Sequence, residues 1–325
     1  MITRRHFLGA SAALPVLAGA PAFAQPGFPD KPVKIIVPLP PGSPPDVLAR
    51  VAGEGLGKLW KQPVIVENRP GATGMIGMQA VARAAPDGHT VGVLFLTHTV
   101  LPSLMGPLPY DTSRDLAPIG NLVWLYNVLV VPAASPVQTL QQLLEGARKQ
   151  PEALTYASGG NGSPAHLLAE TFCQASGARM RHVPFRGPSE AVTALMGQQV
   201  TAMFATASVA TTLVESGKLR ALAVTSPERM AALPSVPTLA EAGMQGMELR
   251  EWEGMVAPAG TPKAIVEQWN RDLFRVMGSA DVRARLAQIG MTVAAPNSSE
   301  EFDALVRREL EHWGHFVKTK GLRPA

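Results

Sequence analysis

Ile35-Ile36-Val37-Pro38-Leu39-Pro40-Pro41-Gly42-Ser43-Pro44-Pro45-Asp46-Val47-Leu48-Ala49-Arg50 is the stretch from which the fold can be read. An apolar run from Val33 to Val37 predicts a strand, a Pro/Gly/Ser turn follows, and a helix opens at once behind it. Strand, loop and helix in that order place a helix N-terminus at the rim of a sheet. Its unpaired N–H groups and positive dipole end favour an anion. The same order recurs down the chain. Pro63–Glu67 leads to the glycine-rich loop Asn68–Gly74, and Val91–Leu96 leads to Thr97-His98-Thr99. Such loops gather at the carboxyl ends of strands in an open α/β sheet, where ligands bind.

The rest of the chain follows that alternation. Helices are predicted over Pro45–Trp60, Met75–Ala85, Val137–Lys149 and from Thr261-Pro262 to Gly278, and Leu122–Val131 reads as a strand between domains. Leu154–Ala157 runs into Ser158-Gly159-Gly160-Asn161-Gly162-Ser163, with Ser163 as N-cap and Pro164 at the first helical position, the device of the opening stretch again. Strands at Arg181–Phe185, Val200–Ala205, Leu219–Val224 and Arg250–Val256 alternate with helix starts after Arg186-Gly187-Pro188, at Thr206-Ala207-Ser208 and at Ser226-Pro227. Thr238 with Glu241, and Ser298 with Glu301, have capping-box spacing. Behind the second box, Phe302, Leu305, Val306, Leu310, Trp313 and Phe316 form a core stripe.

Composition narrows the function. The 325 residues suit two domains, and 46% apolar with 17% charged residues excludes a disordered chain. Residues 1–24 read as an export segment: Arg4-Arg5 at the start, an apolar run from Gly9 to Ala20, and Ala22-Phe23-Ala24 as cleavage site. The arginine pair followed by His6-Phe7-Leu8 fits the twin-arginine route as well as an ordinary secretory signal. Removing this segment takes away two arginines and no acid, leaving 27 basic against 25 acidic residues. Half of the +4 formal charge is therefore export signal, and nucleic acid is not indicated. The single Cys173 has no partner for an internal disulfide and reads as buried filler. Gly53–Lys58 imitates a phosphate loop, but Ala52 stands at its first glycine position and Leu59 follows the lysine. His312-Trp313-Gly314-His315 lacks further metal ligands, and no cofactor is expected.

In order and spacing, the motifs resemble a known family across nearly the whole mature chain. They are Val37–Arg50, Val66-Glu67-Asn68-Arg69-Pro70-Gly71-Ala72, Ala85–Gly88, Tyr110-Asp111 through Pro118-Ile119, Leu154–Ser158 with Asn161-Gly162-Ser163, Gly217–Thr225 and Ala257–Pro262. Together they are similar to the substrate-binding receptors of tripartite tricarboxylate transporters, the Bug-type receptors. The resemblance implies an α/β, two-domain periplasmic-binding-protein (Venus flytrap) fold, each domain a mixed sheet flanked by helices. Two crossover strands would form the hinge, near Leu122–Val131 and Arg250–Val256. It divides the chain into the export segment 1–24, a first domain of 25–125 plus 250–325, and a second of 126–249. It also implies a periplasmic monomer that holds a small organic carboxylate in the cleft and passes it to membrane permease subunits.

Carried over by position, the ligand-binding candidates in the first domain are Pro41, Gly42, Ser43, Asp46, Gly71, Ala72, Thr73, Thr97 and His98. In the second they are Ser158, Gly159, Asn161, Gly162, Ser163, Arg186 and Thr206. The chain departs from the family pattern where Ser43 replaces a glycine, where Pro45 replaces a hydroxyl residue, and at Thr206, where many relatives carry an acid. Asp46 reads equally as cap or ligand contact, His98 as loop histidine or ligand, and Arg186 as ion-pair partner or carboxylate anchor. An exported sensor uses the same closure as a transport receptor. An acyl-transfer site from Ser163, His166 and a distant Asp finds no G-x-S-x-G elbow in the chain.

Overall fold

The computed structural model describes residues 27–245 and 250–322, so the export segment lies outside the described residues. The strands are β1 (Val33–Val37), β2 (Val64–Asn68), β3 (Thr90–Phe95), β4 (Leu116–Pro132), β5 (Thr155–Ser158), β6 (Arg181–Pro184), β7 (Ala202–Thr206), β8 (Leu219–Val224), β9 (Arg250–Pro258) and β10 (Met291–Val293). The helices are α1 (Pro44–Trp60), α2 (Met75–Ala82), α3 (Thr97–Met105), α4 (Leu140–Lys149), α5 (Pro164–Ser176), α6 (Pro188–Met196), α7 (Ala207–Glu215), α8 (Lys263–Met277), α9 (Ala280–Ala287) and α10 (Ser299–Lys320).

One strand joins two lobes. The first part of β4 pairs with β9 on one edge and β10 on the other, extending the sheet β2-β1-β3-β9-β4. From Asn127 onward, β4 pairs with β7 and β8 and belongs to a second sheet that continues through β5 to β6. The seam falls between Tyr126, opposite Arg250, and Asn127, opposite Thr206. From Arg250 at that seam, β9 pairs among the described residues with β3 and β4 of the first sheet.

Both sheets are covered on two faces, which is why β1 and β3 read as continuous apolar runs rather than alternating ones. In the first lobe α1, α8 and α9 pack one face around Leu48, Leu56, Trp269 and Leu286; α2, α3 and α10 pack the other around Met78, Leu104, Trp252 and Phe302. In the second, α4 and α5 cover Tyr156 and Phe204, and α6 and α7 cover Val128 and Met203. Cys173 lies in that α5 core, where burial pushes its thiol up to about 11 and leaves it unreactive.

Local signals located most element ends. The Ser298–Glu301 capping box is formed in both directions at the start of α10. The Thr238–Glu241 box also forms, but it closes a single turn rather than a helix. No helix follows Ser226-Pro227, because the Ser226 hydroxyl donates to Glu228 O and bends the chain. Helix α3 replaces the expected loop at Thr97-His98-Thr99 despite Pro102 inside it. Pro102 cannot donate to the carbonyl of His98; the hydroxyl of Thr112 does so instead at 3.2 Å.

Candidate functional site

Strand directions place the loops. β9 runs antiparallel to both β3 and β4, so β3, and β1 and β2 parallel to it, point their carboxyl ends toward the second lobe. β7 runs antiparallel to β4, and β5 and β6 run with β7, so their carboxyl ends point toward the first. The loops holding Pro41–Ser43, Gly71–Thr73 and Thr97 therefore oppose those holding Ser158–Ser163, Arg186 and Thr206. The lobes meet where Gly162 packs on Leu104 of α3 and Gly290 packs on Ala207 of α7.

Two opposed helix starts share one construction. Gly42 and Gly162 take left-handed φ of +82° and +75°, and Ser43 and Ser163 follow as extended N-caps, each before a proline. The amide of Gly42 donates to Asp46 Oδ2 at 2.9 Å, and that of Gly162 donates to His166 Nδ1 at 3.0 Å. Four residues ahead, one side chain thus fixes each loop.

The two ends differ in what they leave for a ligand. At α1, Pro44 and Pro45 have no N–H, the amides of Asp46 and Val47 both donate to Ser43 O, and the Ser43 hydroxyl donates to Pro40 O. The expectation of unpaired N–H groups at this rim is therefore corrected: only the helix dipole remains. Asp46 also resolves as an anchor, 2% exposed, with its oxygens accepting from Gly42, Arg50 and Asn68. Those donors hold its carboxyl below the usual range although burial alone would raise it. At α5, by contrast, neither the amides of Ala165 and His166 nor the buried Ser163 hydroxyl has a partner among the described residues.

The first lobe compensates at its second loop. Ala72 and Thr73 adopt consecutive left-handed conformations, φ +45° and +56°, which side-chain-bearing residues resist. Strain of this kind persists where function holds it, and successive amides in such turns form a concave anion seat. Both residues are exposed beside Gly71. His98 is fully buried beneath them: its Nδ1 accepts from Phe95 N at 3.3 Å and its Nε2 lies against Gly74. It packs under the loop and is closed to solvent. Thr97, also buried, makes no hydrogen bond with the described residues through its hydroxyl, and the exposed Arg186 makes no ion pair with them.

In the second lobe Ser158 Oγ sits 2.6 Å from His182 Nε2 and also accepts from Gly160 N, fixing the turn on which Gly159 and the half-buried Asn161 lie. His182 stacks on His166 with ring centres 3.9 Å apart, and Tyr156 stacks on His182. Ser163 is not bonded to His166, whose Nδ1 is occupied by Gly162, so no nucleophile–base pair is assembled there.

Burial lowers His98 to about 3 and His166 and His182 to about 4, so all three are neutral in the folded chain at neutral pH. Their stabilising contribution is complete above the unfolded value of 6.5 and is lost as pH falls toward 4. The melting temperature should therefore fall by several degrees between pH 7 and pH 5, with raised glutamates offsetting part of it. Circular dichroism melts should show a shallower fall in His182→Gln; an identical fall would remove His182 from the cause.

Sequence reasoning passed over two acids. Glu251 and Glu253 alternate with Trp252 on β9 and share the face carrying Phe95, Val123 and Leu125. Glu251 accepts from Asn127 Nδ2 at 2.7 Å, and Asn127 pairs with Thr206, whose hydroxyl makes no hydrogen bond with the described residues. Glu253 is 4% exposed and its Oε2 has no partner among the described residues. Burial pushes Glu251 up to about 7, and burial together with the neighbouring Glu251 pushes Glu253 well above the normal range. Two acids at alternate positions of an apolar strand were the available signal.

Residues 48–322 match the family described as "Tripartite tricarboxylate transporter family receptor". The chain belongs to that receptor family. Protein BugT of Bordetella pertussis is 34% identical over 91% of this chain and 91% of its own length. Two solved structures superpose closely on this receptor. One, an R. palustris protein with adipate, has a TM-score of 0.81 at 30% identity, covering 92% of this chain and 100% of the other. The other, MatC of Rhodopseudomonas palustris with bound malate, has a TM-score of 0.76 at 31% identity, covering 89% and 100%. Among the described residues, no helix of the receptor is long and apolar enough to cross a membrane.

Proposed function

We propose that this chain is a periplasmic solute-binding receptor that closes its two lobes on a small organic carboxylate and delivers it to the permease of a tripartite tricarboxylate-type transporter. The observation that carries this reading is the set of free donors on facing rims: the Ala72–Thr73 turn from one lobe, and Ser163 with the Ala165 and His166 amides from the other. Donors fixed in advance bind an anion without reorganisation. The carboxylates bound by two relatives agree with that chemistry. The export segment at residues 1–24 supports the compartment, and family membership supports the permease as partner.

A carboxylate that binds only the folded chain stabilises it in proportion to the logarithm of its concentration, by about 2.7 kcal/mol at a hundredfold excess over Kd. A thermal-shift panel of mono-, di- and tricarboxylates, including hydroxy and amino acids, should thus contain at least one compound raising the melting temperature by several degrees. If the whole panel is silent and native mass spectrometry finds no retained acid, the receptor reading fails.

A further inference from the structure

The acidic row on β9 is not part of the two donor rims. Glu253, Glu251, Asn127 and Thr206 share one face across the seam of β4, from the first lobe into the second. In the first lobe that face is the one covered by α1, and in the second the one covered by α5. The amino ends of both helices stand at the carboxyl ends of β1 and β5, which point at the seam. A solute held between those ends lies over the row.

Three features there lack a hydrogen-bond donor. The opening helix has lost its N–H donors to Pro44 and Pro45. Two carboxyls sit side by side on the floor, and among the described residues no cation pairs with either. One oxygen of Glu253 is buried without a partner among the described residues. Burial favours the protonated form of both carboxyls in the empty site. A protonated nitrogen of the solute would draw them into the ionised form and supply the donors they lack, whereas a second carboxylate brings no donor and opposes that ionisation.

We propose that Glu251 and Glu253 receive a cationic nitrogen of the solute, so that the ligand is an amphoteric organic acid: carboxylate toward α5, ammonium at the hinge floor. The proposal rests on the receptor reading and narrows it. Thr206 fits the same picture, since its uncharged hydroxyl beside Asn127 leaves the acidic groups to β9.

Isothermal titration of the mature chain with matched pairs tests this: γ-aminobutyrate against succinate, δ-aminovalerate against glutarate, ε-aminocaproate against adipate. For at least one length the amino acid should bind about tenfold or more tightly than its diacid. Glu251→Gln and Glu253→Gln, checked for folding by circular dichroism, should erase that preference while leaving diacid binding unchanged or tighter. Diacids binding as well as amino acids, or a preference surviving both substitutions, would overturn the assignment and leave the receptor reading intact. Silence of every pair, joined to silence of the wider carboxylate panel, would defeat both.

Discussion

Gly162→Val is expected to lower affinity for the solute by about 100-fold, or about 2.8 kcal/mol, while the chain stays folded. A Cβ at this position would stand 2.3 Å from Leu104 Cδ2, on the opposite lobe, and φ is +75°. The left-handed backbone adds strain on the order of 1–2 kcal/mol for a residue with a branched Cβ. Valine would thus displace Ser163, disturb the amide bond to His166 and prop the lobes apart together. Gly177→Val serves as control: its φ is +68° in the same lobe, but nothing lies within 4 Å. Titration calorimetry should find near-normal affinity in the control. Normal affinity in both variants would place the Ser158–Ser163 loop outside the site.

Trp269→Ala is expected to produce the largest loss of stability, about 3–5 kcal/mol, because it removes a large buried ring and leaves a cavity. Trp269 is fully buried, its Nε1 donates to Gly88 O at 3.0 Å, and Trp60 meets it edge to face at 4.8 Å. It joins α8 to α1 and to the turn before β3, so its loss loosens the scaffold behind the first-lobe loops. Urea unfolding should show a lower midpoint with little change in slope. A loss below about 1 kcal/mol would mean that the first-lobe core does not depend on this ring.

The legible parts of the fold were those whose physics is local. The Ser298–Glu301 box and the apolar stripe behind it declared α10, since cap and periodicity lie within one helix. The paired Gly-Ser-Pro starts of α1 and α5 were legible for the same reason. Helix α3 was not, because Pro102 argues against it and the compensating hydroxyl comes from Thr112 on another segment. Ser226-Pro227 erred the other way: a good start signal, overruled by the hydroxyl's bond to Glu228 O.

The candidate site divides along the same line. The sequence by itself determined the alternation of strand, loop and helix, the two Ser-Pro rims and the family, because each depends on residue type and spacing. Only the tertiary structure decided which groups remain free to bind. Asn68 arrives from β2 to occupy Asp46, burial under Gly74 closes His98 to solvent, and strand pairing gathers Glu251, Glu253, Asn127 and Thr206 on one face. Whether a polar group is satisfied depends on partners far away in the chain, and only the folded chain brings those partners within hydrogen-bond distance.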